Sequence, residues 1–252
     1  MKKFPKTTPK LFIVIPTRNE EKVILKTLSE IKNKVKVPHK IIVVDDSQDK
    51  TPLIVRKYMR KHKNVALVVN GSKKKSFAHA LKIGFDRAGE GPIVTIMGDL
   101  CDDARTVNKM YQKYLQGYDL VCGSRYIKGG GRVGGPRMQG ICSEIVCRTI
   151  PLLTGIKTHD VSNSFKLYRK SILRKIKFNL NSGPEISMEI TLQAFFNGDK
   201  ITEVPTVWRG RTMGTSKFNF IQRSPFYLKI YAWAIKSSIR KIFGLTLNKY
   251  TY

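Results

Sequence analysis

Short apolar runs rich in β-branched residues recur through the first half of the chain, each followed by a longer stretch in which apolar and polar positions alternate with helical spacing. Leu11 to Ile15 is the first run, ended by Pro16, and a helix is expected from about Glu20 to Lys34. Ile41 to Val44 ends in Asp45-Asp46, and Thr51 to His62 reads as helix with Pro52 in its first turn, where proline is tolerated. Val65 to Val69, Pro92 to Met97 and Asp119 to Cys122 read as further strands, with helices over Ser76 to Ala88 and Ala104 to Leu115 between them. Ser164 to Tyr168 and Ile201 to Val207 are expected as strands, and Pro184 to Phe196 as helix.

Fully apolar short strands alternating with amphipathic helices predict an α/β fold. Its mostly parallel, Rossmann-like sheet is covered by helices on both faces. Such sheets bind ligands beyond the carboxyl ends of their strands. Three strand ends here carry charge: Arg18 and Glu20, then Asp45 and Asp46, then Asp99. The fold would bring them to one edge. Asp45-Asp46 also reads as a pair of loop acids capping the next helix.

The segment from Gly123 to Pro151 breaks the pattern. Gly129-Gly130-Gly131 and Gly134-Gly135 are interspersed with Arg125, Lys128, Arg132 and Arg137. It reads as a mobile loop without regular structure, lying over a site for anions. At the other end, Leu228, Tyr231, Ala232, Ile235, Ile239, Ile242 and Phe243 fall on one helical stripe, with Lys229, Lys236, Arg240 and Lys241 outside it. Such a helix lies in a membrane interface or docks on the domain. The organisation expected is therefore a catalytic domain over residues 1–220 and a basic amphipathic helix over 221–252.

Charge sharpens the choice of partner. In 252 residues, 47 Lys and Arg against 18 Asp and Glu give a net charge of +29, which favours anionic partners. No window reaches the ~18 apolar residues of a membrane span, and the run after the basic start, Met1 to Lys10, is too short for a signal-peptide core. Cys101, Cys122, Cys142 and Cys147 show no CxxC spacing and read as reduced thiols. No zinc-finger or RNA-recognition pattern appears, so a nucleic-acid partner is not expected.

Five pieces in order carry a family resemblance. Phe12 to Glu20, Ile42 to Ser47 with Thr51, Gly123-Ser124-Arg125-Tyr126, Ser162 to Arg169, and Glu203-Val204-Pro205 with Arg211 and Gly214 to Lys217 resemble the motifs of family 2 glycosyltransferases, most closely the dolichyl-phosphate mannose synthase branch. The resemblance spans roughly residues 10–220. It implies a GT-A-type single domain that transfers a hexose, with mannose the family-weighted choice, from a nucleotide-diphosphate sugar (GDP-mannose or UDP-glucose) to a polyprenyl phosphate, with inversion. Pro16, Arg18, Glu20, Asp45, Asp46, Gly98 and Asp99 would bind the nucleotide sugar. Ser124, Arg125 and Arg137 would hold the acceptor phosphate, and Asp99, Arg125, Arg137 and Arg211 would form the catalytic set. The family's Asp-x-Asp is incomplete, because Met97 stands at the first position. A divalent cation, Mg2+ or Mn2+, would rest on Asp99 with Asp102 or Asp103, although those two also read as a helix N-terminal charge pair. The expected location is peripheral, on the cytoplasmic face of an anionic membrane. A transferase acting on a hydroxyl of a soluble glycan or protein would instead need a base, for which Glu185 or Glu189 is available.

Overall fold

The computed structural model describes residues 9–71, 75–211, 213 and 219–245. Met1 to Thr8, Lys73-Lys74 and Gly214 to Lys217 lie outside them. In chain order the elements are β1 (Leu11–Thr17), α1 (Ile24–Lys34), β2 (His39–Asp45), α2 (Thr51–Lys61), β3 (Val65–Val69), α3 (Phe77–Arg87), β4 (Pro92–Thr95), α4 (Thr106–Leu115) and β5 (Leu120–Ser124). They continue with β6 (Gly131–Val133), α5 (Arg137–Thr154), β7 (Lys166–Arg169), α6 (Lys170–Lys175), α7 (Ile186–Phe196), β8 (Ile201–Pro205), β9 (Val207–Arg209) and α8 (Phe220–Ile242).

Seven strands form one sheet in the order β3-β2-β1-β4-β7-β5-β8. All neighbours are parallel except β7, which runs antiparallel between β4 and β5. Alternate residues of each strand point to opposite faces, which divides the core in two. Ile13, Ile15, Ile41 and Val43 pack with α1, α2 and α4 on one side, while Val14, Ile42 and Val44 pack with α3, α5, α7 and α8 on the other. The strand order reverses between β1 and its neighbours β2 and β4, so the crevice expected of such a sheet opens where β1 and β4 end.

The glycine-rich segment departs from the expectation of a structureless loop. Its glycines stop at Gly135, and Pro136 presets an extended entry from which α5 runs to Thr154. Gly155, with φ 78°, closes the helix in the left-handed conformation that glycine adopts without penalty. Gly131–Val133 forms a two-stranded parallel sheet with Val207–Arg209. The expected strand over 201–207 is thus two strands, β8 and β9, split at Thr206, whose N–H bonds the Ser124 carbonyl at 3.0 Å.

Helix α8 starts at Asn219, whose side chain accepts the Gln222 N–H. It packs against α5 and α7. Ile230, Ala234, Ser237 and Ser238 face the core, a set that shares no residue with the stripe expected from sequence. The four cysteines are free thiols, three of them buried.

Candidate active site

At the ends of β1 and β2, two turns are laced together. Asn19 takes φ 56°, a left-handed conformation that asparagine tolerates, and this turns Glu20 back over the sheet. Ser47 Oγ accepts the Asn19 N–H at 2.7 Å, Asn19 Oδ1 accepts the Gln48 N–H at 2.8 Å, and Thr51 Oγ1 accepts the Glu20 N–H at 2.9 Å. Asp45 is buried and accepts from Thr17 Oγ1 at 2.8 Å and Ser47 Oγ at 2.6 Å. Asp46 is also buried, with Lys75 Nζ 3.7 Å from its carboxylate. Arg18 stands exposed beyond the strand end. A Cβ at Gly98 would lie 2.7 Å from Thr17 Cγ2 and 3.5 Å from the Pro16 carbonyl oxygen, so the β1 and β4 ends meet only because position 98 has no side chain. Pro16, Glu20, Asp45, Asp46, Gly98 and Asp99 therefore share one edge.

The loop after β4 concentrates negative charge. Leu100 has φ 64°, a strained conformation for a branched residue, which folds Asp99 and Asp102 toward each other. Asp99 Oδ1 accepts the Cys101 N–H at 3.1 Å, and Asp102 Oδ2 accepts the Met97 N–H at 2.9 Å. Asp102 is thereby drawn back to the strand position where the family's first aspartate would stand. Burial, then the neighbouring Asp99, push its carboxyl up to about 7. Asp103 is different. Burial raises its carboxyl, but Arg105 donates to it from Nε at 3.0 Å, Nη2 at 3.1 Å and the backbone at 3.1 Å, and the net shift is downward. This corrects the candidacy of Asp103 as a metal ligand, since its oxygens are taken by Arg105. Among the described residues no group of three or more His, Cys, Asp or Glu is arranged for a metal. The Asp99–Asp102 pair supplies the hard oxygen donors that Mg2+ or Mn2+ takes, and fits a cation whose remaining ligands come from elsewhere.

The raised Asp102 carboxyl has a stability consequence. Between the ordinary carboxylate range and pH 7 the folded state holds a proton that the unfolded chain releases, so stability falls as pH rises through this window. Asp102→Asn is expected to raise the melting temperature of the metal-free protein by a few degrees at pH 8 and by about half as much at pH 5.5. Differential scanning calorimetry at the two pH values checks it, and an equal effect at both would show that Asp102 is ionised throughout.

Arg211 joins the two acidic groups. Its guanidinium donates to Glu20 at 2.8 and 3.2 Å and lies 3.1 Å from Asp99. It is delivered by the segment that follows β9: the Arg209 N–H bonds the Cys101 carbonyl at 2.9 Å and the Gly210 N–H bonds the Val133 carbonyl at 2.8 Å. A Cβ at Gly210 would lie 2.6 Å from the Gly135 nitrogen, so the two loops touch backbone to backbone. Arg137, four residues beyond Val133, stands exposed in the first turn of α5.

Ser124 and Arg125 call for a correction. Ser124 is fully buried beneath Gly130, and the Arg125 side chain is only 9% exposed. Its Nε and Nη2 bond the two carboxylate oxygens of Asp160 at 2.7 and 2.8 Å, and Nη2 also bonds Ser162 at 3.0 Å. With these donors directed inward, Arg125 is not presented to an acceptor phosphate; it fastens the loop of Asp160 and Ser162 to the end of β5. Burial opposes ionisation of Asp160, yet the facing guanidinium holds its carboxyl below the usual range. Asp160 carries no signal in the sequence that ties it to a residue 35 positions away. His159 was equally silent, and Glu203 was marked only as part of the Glu203-Val204-Pro205 piece: the imidazole Nδ1 lies 2.6 Å from Glu203 Oε1, pinning the loop before Asp160 to β8. Glu185 and Glu189 are both buried. Glu185 accepts from Arg223 Nη1 at 3.1 Å, and Glu189 from Gln193 Nε2 at 2.9 Å. Neither is placed as an accessible base.

The sequence profile described as Glycosyl transferase family 2 matches residues 12–177, two thirds of the chain. The chain belongs to glycosyl transferase family 2. The match runs from β1 past the Arg125–Asp160 pair to the end of α6 and stops short of Arg211. This transferase is similar to the polyprenol monophosphomannose synthase of Mycolicibacterium smegmatis, 24% identical over 94% of this chain and 92% of the relative. It is 29% identical to the dolichol-phosphate mannosyltransferase of Pyrococcus furiosus over 82% of this chain, which corresponds to 59% of that longer protein. Among solved structures, a Pyrobaculum calidifontis mannosyltransferase in complex with GDP-Man and Mn2+ superposes with a TM-score of 0.65 at 20% identity, covering 92% of this chain and 65% of the other. That likeness establishes the fold.

Proposed function

We propose that this transferase moves a hexose, mannose by preference, from GDP-mannose to a polyprenyl phosphate with inversion at the anomeric carbon. One observation carries the reading: an acidic donor edge, bridged by Arg211, is tied through β9 to a loop that presents Arg137 at the start of a helix with an apolar outer face. The similarity to polyprenol and dolichol phosphate mannose transferases along most of the chain supports the same choice.

Asp45, Asp46 and Glu20 hold the nucleotide at the carboxyl edge of the sheet. Asp99 and Asp102 would hold a divalent cation, Mg2+ or Mn2+, whose charge would stabilise a leaving diphosphate. Arg211 then has two anions within reach, its carboxylates and the incoming phosphates, and bidentate arginine geometry suits both. The acceptor is a phosphate monoester with a second pKa near ~6 and is largely dianionic at neutral pH. It needs no general base, which agrees with the burial of Glu185 and Glu189. What it needs is capture beside another anion, and Arg137 with the free N–H groups of the first turn of α5 supplies that. Arg125 acts through Asp160 as a positioning residue for this loop.

No described helix is long and apolar enough to cross a membrane. A lipid-linked acceptor is met at a bilayer surface, and the exposed stripe of α8 with its lysines and arginines serves as the peripheral contact. The test is a thermal-shift panel of GDP-mannose and UDP-glucose with and without Mn2+ or Mg2+, followed by transfer to polyprenyl phosphate. Metal-dependent stabilisation by GDP-mannose and a lipid-extractable mannosyl product are expected. Transfer to a sugar hydroxyl with none to lipid phosphate would overturn the assignment.

A further inference from the structure

Only one lysine among the described residues is buried. Lys166, at the start of β7, is 0% exposed. Its Nζ donates to the Val161 carbonyl at 2.8 Å, to the Ser187 carbonyl at 3.3 Å and to the Asn163 carbonyl. Three carbonyls take three N–H groups, the full donor set of an ammonium, whereas a neutral amine would turn its lone pair on one of them. Burial pulls the group below its ordinary value, so these carbonyls are what keep the proton in place.

No carboxylate completes the arrangement. Asp160, fully buried beside it, has both oxygens engaged by Arg125. Two buried cations thus stand against one buried carboxylate, and Cys122 and Cys147 are the other titratable groups that face Lys166. An isolated buried charge is costly and is ordinarily paired with an opposite one. Here the opposite charge is missing from the protein.

The place of Lys166 in the sheet indicates where it comes from. Strand β7 runs antiparallel between β4 and β5, so it begins at the edge where they end. Cys122 of β5 pairs with Lys166, and Val94 of β4 pairs with Leu167, which sets Lys166 level with Thr95, the last residue of β4. Chain continuing from Thr95 reaches Asp99, and chain continuing from Cys122 reaches Ser124 and Arg125. Neighbouring strands lie about 4.8 Å apart. The ammonium therefore sits beneath the gap between the acidic edge and the glycine-rich loop, the gap in which the proposed transfer brings two anions together.

We infer that Lys166 is a fixed internal counter-charge for the donor and acceptor phosphates, acting through the protein interior and touching neither. The inference rests on the proposed transfer and deepens it, by naming a group that offsets the repulsion between the two substrates. Exposed lysines are screened by salt within about 8 Å. A cation inside the protein escapes that screening, and its attraction through the interior is stronger than through water. Because its three protons are already taken, Lys166 donates to no substrate and needs no reorganisation when one arrives.

The test compares the parent with Lys166→Met, similar in length and uncharged, by competition of GDP and of guanosine against a fluorescent GDP. The variant is expected to bind GDP about tenfold more weakly without metal, and by a smaller factor with Mn2+, whose charge already offsets part of the diphosphate. Guanosine affinity should match the parent, and the GDP deficit should persist at high salt. An equal loss for GDP and guanosine makes Lys166 a staple for the loop and overturns the inference, as does unchanged GDP affinity. A parent that binds UDP in place of GDP overturns the choice of mannose donor alone, and UDP with uridine then takes the place of the first pair. A parent that binds neither nucleotide sinks the proposed function and the inference with it. If Lys166→Met does not fold, the wild-type protein decides. In protein with 15N-labelled lysine the buried ammonium is identified by its slow proton exchange, and its pKa is followed with and without GDP. Ligand affinity and protonation are reciprocal, so bound GDP should raise that pKa. A neutral amine at pH 7 in the free protein, or a pKa that GDP leaves in place, overturns the inference.

Discussion

Asp99→Ala is expected to abolish transfer, lowering turnover by at least about a hundredfold. Three features converge on this carboxylate. It is the surviving aspartate of the family motif, it faces Arg211 at 3.1 Å, and its charge is a principal reason the Asp102 carboxyl titrates near 7. Removing it leaves one carboxylate for the cation, releases Arg211 toward Glu20 and lets the Asp102 carboxyl fall toward its ordinary value. Asp99→Asn separates charge from structure, because the amide oxygen still accepts the Cys101 N–H. Both variants should retain the wild-type far-ultraviolet spectrum and lose metal-dependent binding of GDP-mannose in calorimetric titration. Near wild-type turnover by Asp99→Ala at saturating Mn2+ would place the cation elsewhere.

Arg125→Ala is expected to act first on folding. Removing one partner of a buried ion pair leaves an uncompensated charge, and such losses run to about 3–5 kcal/mol. In a protein of this size that lowers the melting temperature by roughly 10 °C. The sign with pH is specific. Wild-type Asp160 is held below its ordinary range, so its contribution is present above the unfolded pKa and fades as pH falls through the folded one. Without Arg125, burial dominates and Asp160 takes up a proton, so the deficit should be larger at pH 8 than at pH 5. Arg125→Lys should recover little, since an ammonium cannot span the two oxygens that Nε and Nη2 occupy. A melting curve equal to wild type at both values would mean that the guanidinium is not the partner of Asp160. Loss of acceptor KM alone, with full stability, would return Arg125 to the phosphate.

The acidic edge was legible in the sequence because a parallel sheet converts intervals along the chain into neighbours at one edge. Arg18, Glu20, Asp45, Asp46 and Asp99 each follow an apolar run, and that position alone foretells their meeting. The buried Arg125–Asp160 pair was not legible. Arg125 announced itself by its motif, but Asp160 stands in a polar loop with no periodicity, and only the antiparallel insertion of β7 beside β5 brings the two together. Helix α5 was hidden by composition: the glycines of 129–135 coloured the reading of residues beyond them, although from Met138 onward the chain has ordinary helical spacing. For α8 the expected apolar stripe is largely outward, with Leu228, Ile239 and Ile242 exposed and only Tyr231 packed against the core, and the fully buried residues lie on the other face. Small residues, Ala234, Ser237 and Ser238, make the close contact, and a hydropathy pattern weights large side chains over small ones.

The parallel pairing of β6 with β9 has a mechanical meaning. Within three consecutive residues, Arg209 is bonded to the loop of the carboxylate pair, Gly210 to the glycine-rich loop, and Arg211 to Asp99 and Glu20. Arg211 follows Gly210 directly, so any displacement of it would pull on Gly210 and, through Val133, on the approach to Arg137. The acidic edge and the glycine-rich loop are thus fastened through three consecutive residues, and a substitution that loosens one loosens the support of the other.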